Sequence, residues 1–333
     1  MSTTTTGVSA LVGATAPVAR RVRAYFAPVN RSTGVATIFD AAQAGGFALD
    51  APPAPWVDLG WVTGFARKSA TKVGALRAGA PAMAQTQVRT EVEATLAMEF
   101  ESWGKLQMAV ASGSEQMNLL VTASGAAANG SGGLAASAVP LVALDSTATS
   151  LGVGAAAAAG FSVGDLVAVD VDYAGQMGFV GSGVSAAYVT SAAAVGGDLN
   201  YVRRVSLNVG RVVGIAAGQL ELGAALLAGV PAAGMQVSVL AGFCDREGGN
   251  FFQEWSGLFV VEGEQGDRVI YHYPRLQAMQ GSCETSDALG ASGSLLERMR
   301  LAGMFRALPV VDANDGAAVV CFRSYLPGAM RAV

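Results

Sequence analysis

Charged residues and histidine are scarce in this chain of 333 residues. Asp, Glu, Lys and Arg make up 14% of the sequence, against about 25% in ordinary soluble proteins. The 21 basic and 25 acidic residues give a net charge of -4, so there is no basic excess for nucleic-acid phosphates. The single histidine, His272, excludes His-rich metal sites and argues against histidine-based catalysis. The hydrophobic fraction of 52% argues against general disorder.

Long runs of large aliphatic residues and a disulfide pattern are also missing. The uncharged stretches 116–144 and 146–164 consist mainly of Ala, Gly, Ser and Thr, which does not predict transmembrane helices. The N-terminus places its arginines after the mildly apolar part, the reverse of a secretory signal. We therefore expect no signal peptide. The three cysteines are odd in number and scattered, which predicts free thiols: Cys244, Cys283 and Cys321.

The strongest pattern in the chain is a two-residue alternation from Thr86 to Phe100. Apolar residues occupy most even positions, while Arg89, Glu91, Glu93 and Glu99 occupy odd positions. Such alternation predicts a strand with one apolar and one polar face. Fifteen residues would span roughly 50 Å, far longer than a common strand.

Helical spacing is predicted at two places. Trp103, Leu106, Val110 and Met117 fall on one face of a helix that would follow the long strand. Of these, Trp103, Leu106 and Val110 are the expected packing residues of the helix, and Trp103 and Leu106 are expected to pack it against the sheet. The segment Ser294–Phe305 also has helical spacing of its leucines and methionines, with Ser294 as N-cap.

Other segments predict a mainly β chain in several parts. Residues 22–29, 161–173, 201–213, 219–222, 235–243 and 251–277 alternate or are β-rich, and the last strand follows the turn-forming sequence DANDG. The Pro-rich sequence APPAP at 51–55 predicts a rigid connector. The expected division is an N-terminal arm and connector at 1–55, a β domain at 56–145 and 234–333, and a small inserted all-β domain at 146–233.

No set of residues has the pattern of a catalytic, nucleotide or metal site. His272 lacks a recognisable nucleophile motif around it, so we expect an interfacial or surface strand histidine. The loop 244–247 lacks the spacing of an EF-hand, and Asp312, Asn314 and Asp315 are typical of a turn before Gly316. The glycines form no phosphate-binding loop. We expect no enzyme activity, no cofactor and no metal.

The acidic residues of the long strand allow two interpretations. Glu91, Glu93 and Glu99 share the predicted polar face with Arg89. They form either a solvated strand face or an acidic surface that faces a specific compartment.

A family resemblance rests on element order. The segment APPAPWVDLGWVTGFARKS, the long strand after it, and the later segments LFVVEGEQGDRVIYHYPRLQ, SLLERMRLAGMFRALPV and AAVVCFRSYLP resemble the tail tube (major tail) proteins of long-tailed bacteriophages. The similarity covers about 56–120 and 235–330. It implies a tail-tube-like β-sandwich or barrel subunit with one or two short helices. It also implies hexameric rings that stack into a tube, with the insertion 146–233 outside.

The function expected from this resemblance is structural. The chain would be a virion tail subunit made in the host cytoplasm. It would self-assemble into a channel for genome passage and contact tape measure, terminator and baseplate proteins, with transient DNA passage and no membrane insertion. Glu91, Glu93, Glu99 and Arg89 would line the channel, where acids repel phosphate. The alternative is an all-β secreted or surface structural module, adhesin-like or coat-like, and a non-enzymatic role is expected in both cases.

Overall fold

The computed structural model describes residues 19–29, 33–42, 47–121, 138–171, 207–246, 253–264, 266–279, 281, 283–288 and 297–327. The predictions for the N-terminal residues before 19, for 122–137, for 172–206, for 247–252 and for 294–296 lie outside these residues. The described chain is mainly β, as predicted. Its strands are β1 (Ala19–Pro28), β2 (Val57–Ala78), β3 (Met83–Phe100), β4 (Glu115–Leu120), β5 (Ala138–Pro140), β6 (Ser150–Gly152), β7 (Leu166–Val171), β8 (Val209–Ala216), β9 (Gln219–Leu222), β10 (Met235–Arg246), β11 (Glu254–Gly263), β12 (Arg268–Ala278), β13 (Cys283–Ala288), β14 (Glu297–Leu308), β15 (Val310–Val311), β16 (Ala318–Val319) and β17 (Phe322–Leu326). The two α-helices of this part are α1 (Lys105–Ser112) and α2 (Ala155–Ala158).

Six antiparallel strands close into a barrel. They pair in the cyclic order β3–β2–β1–β11–β12–β14 and back to β3, while β17 pairs with β12 and β13 with β14. The interior is filled by apolar side chains from all six strands. Because the barrel is closed, each of the six strands has a paired neighbour on both sides. The fully buried aromatic rings of the interior include Phe26, Phe259, Tyr273 and Phe305.

The prediction of a helix at Ser294–Phe305 is wrong, because residues 297–308 form strand β14. Leu301, Gly303, Phe305 and Ala307 are buried, and the residues between them are half-buried or exposed. This alternation is satisfied by ladders to β3 and β12. The spacing of Met299 and of the leucines and other methionines in this segment is also compatible with one face of a helix. Pairing with the neighbouring strands makes the segment a strand instead.

The final strand is broken in two. Residues 318–319 pair with β15, and 322–326 pair with β12. The turn before them is confirmed, because the backbone N–H of Asn314 donates to the Asp312 side chain and that of Gly316 to the Asp312 carbonyl oxygen.

A second sheet has its own apolar core. Its order is β4–β10–β7–β8–β9–β6, with β5 also paired to β10. Most of the core residues come from within 146–233, such as Leu151, Val167 and Leu220. The sheet also takes β4, β5 and β10 from outside that range, so it extends past both predicted boundaries. Backbone pairing, not composition, sets this extent.

An irregular segment covers part of the outer surface of the barrel. We call residues 33–42 and 47–56 the cover. Its Phe39, Phe47, Leu49 and Trp56 side chains pack on an apolar patch of β1, β11 and β12, formed by Tyr25, Leu258, Val260 and Ile270. The Pro-rich connector at 51–55 is therefore the last part of the cover, and it leads into Trp56, which is buried.

Candidate assembly surface

The hairpin of β2 and β3 runs far beyond the barrel. Strand β2 has 22 residues and β3 has 18, but in β3 only the even positions from Ala94 to Phe100 are buried. Between 68 and 93 the side chains are exposed, apart from the half-buried Gly74. We call residues 68–93 the ribbon. Eleven residues in each strand give it a length of roughly 35 Å.

Large apolar side chains are exposed along the ribbon. Leu76 and Met83 are each 63% exposed and Val88 is 57% exposed, and Val73 and Val92 are exposed as well. By register, Val92 lies opposite Thr71 and continues the buried side of β3, whereas Leu76 lies opposite Thr86 beyond a register shift. Both sides of the ribbon therefore carry apolar surface.

The polar face of β3 carries paired charges rather than a bare acidic surface. The Glu91 carboxylate accepts a hydrogen bond from the Lys72 ammonium. Glu93 pairs with Arg306 at 2.9 Å, and Glu99 pairs with Arg300 at 3.2 Å. Each of the three predicted acids thus lies next to a base from a neighbouring strand, which cancels much of its field outside the subunit.

Arg89 does not share the face of these acids. The ladder passes from Lys72 opposite Glu91 to Val73 opposite Arg89, so β3 has an extra residue at Thr90. Such a bulge reverses the alternation of the bulged strand. Because Val73 follows Lys72 directly on β2, Arg89 points to the other side of the ribbon. Strict alternation, on which the prediction was based, ends at this bulge.

The ribbon carries a small basic excess. It contains Lys68, Lys72, Arg77 and Arg89 against Glu91 and Glu93, and Lys72 is paired with Glu91. The remainder of the chain is accordingly more acidic than its overall net charge of -4. A basic ribbon with exposed apolar residues is suited to an acidic partner surface that also offers apolar contacts.

The sequence pattern found β3 but not its partner. Residues 68–80 are rich in Ala, Gly and Thr, so β2 has no strong alternation. The Gly79 to Pro81 segment between the strands is the available signal, because Gly and Pro mark turns.

The three residues predicted to pack the first helix behave differently from one another. Val110 is buried in the barrel core and Leu106 packs against it. Trp103 lies before α1 and is 50% exposed, near Phe243, so the prediction of its burial is wrong. Gly104 is the N-cap and Gly113 the C-cap, at φ 61°. The helix therefore begins after Gly104 and ends before Gly113, so Trp103 lies outside it.

His272 lies in a strand as expected, but it is buried within the subunit and not at an interface or on the surface. It is 2% exposed and lies among Phe39, Trp56 and Phe322, with ring centroids 6.4, 5.8 and 5.9 Å away. Its Nε2 accepts the backbone N–H of Phe39 at 3.4 Å. Burial lowers the pKa of His272 to about 4, and the backbone of Gly257 opposes part of this shift.

Cys321 is a free thiol in the described part of the chain. Burial raises the pKa of its thiol, which the neighbouring Tyr273 and Arg67 partly oppose. A raised pKa keeps the thiol protonated and unreactive at neutral pH.

Within the described ranges, no three His, Cys, Asp or Glu residues are placed to hold a metal ion. In the same residues no helix is long and apolar enough to cross a membrane. Neither the models of known protein families nor the curated proteins include one that matches this chain.

Proposed function

We propose that this chain is a structural subunit that assembles with copies of itself into stacked rings, and that these form the tail tube through which a phage genome passes. The observation that carries the proposal is the ribbon. A two-stranded ribbon is at best marginally stable alone in water. A ribbon of this length that exposes apolar residues on both sides needs a surface to lie on.

A second copy of the chain is the partner that best fits the ribbon. The ribbon has four basic and two acidic residues, whereas the rest of the chain is acidic, so copies attract one another in the orientation that places ribbon on body. The outer strands β13 and β17 each have one unpaired side within the described sheet, which suits lateral contacts. The closed barrel is the body from which these features project.

Assembly is tested by shortening the ribbon without touching the barrel. Ala70 and Glu93 are opposite each other in the ladder, so residues 71–92 can be replaced by Asn-Gly, which favours a two-residue hairpin. We expect rings or tubes with a central channel from the full chain in negative-stain images, and folded monomers from the shortened chain. Circular dichroism shows whether the barrel is retained.

A milder variant separates loss of the ribbon from loss of its apolar contacts. Val73→Ser with Leu76→Ser keeps the ribbon's length and charge and should weaken assembly. The double change Ala75→Ser with Ala78→Ser is the matched control on the same strand and should assemble normally. Monomers of the full chain at all concentrations, or normal tubes from the shortened chain, would contradict the proposal. Monomers of the full chain would favour the secreted or surface module instead.

The predicted channel face requires a separate experiment. Glu91→Lys with Glu93→Lys removes two ion pairs and adds positive charge, so we expect tubes that slow DNA passage, with recovery at higher salt. The control is Glu91→Lys with Lys72→Glu, which exchanges the two partners and leaves the charge of the face unchanged. Particles with both lysines that deliver DNA at the normal rate at low and high salt would refute the channel assignment.

A further inference from the structure

The His272 side chain contacts both strand β17, which pairs with its own strand β12, and the cover, which has no strand pairing. It lies on β12, stacks on Phe322 of β17 with an interplanar angle of 18°, and contacts Phe39 and Trp56 of the cover. The described polar contacts between the cover and the barrel include the ion pair of Asp50 with Arg23 and three hydrogen bonds. The backbone N–H of Thr37 donates to the Ser256 hydroxyl at 2.9 Å and that of Phe39 donates to His272 at 3.4 Å. The Tyr25 hydroxyl donates to the carbonyl oxygen of Leu49 at 3.0 Å.

The hydrogen bond to Phe39 requires a neutral imidazole. Because Nε2 accepts the N–H of Phe39, the neutral ring carries its proton on Nδ1. Nδ1 is buried and makes no hydrogen bond of good geometry, and the Gly257 backbone favours the charged ring only enough to oppose part of the burial effect. Protonation would place a second N–H directly against the N–H of Phe39, remove that bond and leave a cation inside an aromatic cluster.

We propose that His272 is an acid-sensitive latch: its protonation releases the cover and uncovers the apolar patch of Tyr25, Leu258, Val260 and Ile270 on the barrel. This inference does not depend on the proposed function. The protonated ring can reach water most easily if the cover opens. The cover makes no strand pairing, whereas β11 and β12 beneath it are each paired with a strand on both sides.

The charged groups around the latch do not compensate the imidazolium. The described charged and titratable side chains on the elements packed around it are Asp40 and Asp50 of the cover, Arg21, Arg23 and Tyr25 of β1, Glu254 and Glu262 of β11, Arg268, Tyr271, Tyr273 and Arg275 of β12, and Arg323 and Tyr325 of β17. Arg23 is engaged with Asp50 and Asp58, and Arg275 with Glu254. The pKa of His272 is instead set by burial and the Gly257 backbone.

The size of the effect follows from the two pKa values of the histidine. An exposed histidine has a pKa of about 6.5, and the buried one has a pKa of about 4. By linkage, the closed state resists protonation by about 300-fold relative to the open state. The opening equilibrium should therefore rise about 30-fold between pH 7.5 and pH 5, and about 150-fold by pH 4.

Hydrogen exchange with mass spectrometry on the full chain tests the latch. We expect protection factors of peptides in 33–42, corrected for intrinsic exchange, to fall about 30-fold from pH 7.5 to pH 5. Peptides of β11 and β12 should stay protected. His272→Gln, which keeps an acceptor but cannot be protonated, should remove this pH dependence. The control Asp50→Asn removes the ion pair to Arg23 and should keep the pH dependence of the exchange.

The single histidine of the chain allows a direct second measurement. One labelled imidazole resonance in NMR should titrate well below pH 6.5, and Phe39→Ala, which loosens the cover, should move that titration upward. The proposal is overturned if the resonance titrates near pH 6.5 in the unaltered chain, since attraction to the surrounding rings would then outweigh burial. It is also overturned if the cover of His272→Gln opens at the same pH, or if β11 and β12 lose protection together with the cover.

Discussion

Replacing Phe305 by alanine should destabilise the barrel more than any exposed aromatic change. Phe305 is fully buried, and its ring centroid lies 5.8 Å from that of Phe26. The ring also fits against Gly303, where an added Cβ would lie 2.7 Å from it. Close packing around the ring leaves little room for the site to collapse after truncation, so a cavity remains. Phe→Ala changes at such sites cost about 3–5 kcal/mol of the free energy of unfolding.

Trp103→Ala is the matched control because it also removes an aromatic ring. Trp103 is 50% exposed and has Phe243 as a ring neighbour at 6.5 Å. We expect a loss of about 1 kcal/mol or less, as for most changes outside the core. The contrast between the two variants therefore tests the closed barrel and the exposure of Trp103 together.

Urea unfolding followed by far-UV circular dichroism measures both variants. With an m-value of about 3 kcal/mol/M, Phe305→Ala should lower the midpoint of the barrel transition by about 1 M or more, with m unchanged. Trp103→Ala should shift it by less than about 0.4 M. Equal shifts for the two variants, or a larger shift for Trp103→Ala, would refute the packing described for the barrel.

Three further changes test other parts of the structure. Burial of His272 should lower the free energy of unfolding of the unaltered chain by about 3 kcal/mol as the pH drops from 6.5 to 4. The reason is that the histidine has a pKa of about 4 in the folded chain and a higher, ordinary pKa in the unfolded chain, which therefore binds the proton first. In urea titrations at acid pH, His272→Gln should lack this part of the decline. Gly218→Ala should lower the melting temperature more than Gly229→Ala. Both glycines have positive φ, but at Gly218 a Cβ would lie 2.7 Å from backbone, while at Gly229 the space is open. Glu93→Gln should change the free energy of unfolding by less than about 1 kcal/mol, because its pair with Arg306 is exposed; a larger change in urea unfolding would mean that the pair is shielded from water.

Local pattern was sufficient for elements whose two faces differ. The alternation of Ala94, Leu96, Met98 and Phe100 matches their burial in β3, because the two-residue period of a strand is independent of the rest of the fold. The β-rich pattern predicted within 251–277 is confirmed by strands β11 and β12, which pair with each other. The first helix was predicted in the right place for Leu106 and Val110, but it is shorter than predicted, since Trp103 precedes α1 and Met117 lies in β4.

Pairing partners decided what the pattern left ambiguous. Residues 297–308 have spacing compatible with a helix, but the strand forms because β3 and β12 supply backbone partners on both sides. The even positions of β3 continue as Val92 and Val88 into the ribbon, yet both are exposed, since burial depends on whether another layer lies over them. Arg89 lies on the opposite side from Glu91 because β3 has one extra residue at Thr90. The sequence composition does not show where such a single-residue shift occurs.

The sequence by itself determined a mainly β chain of low charge with one long alternating strand, because composition and the two-residue period act locally. The tertiary structure alone decided that six strands close into a barrel, that the β2–β3 hairpin continues beyond it as the ribbon, and that His272 lies buried under the cover. These features depend on contacts between residues far apart in the chain, such as Phe39 with His272 and Glu93 with Arg306. Burial and ion pairing are properties of such contacts, so they arise only when the strands have found their partners.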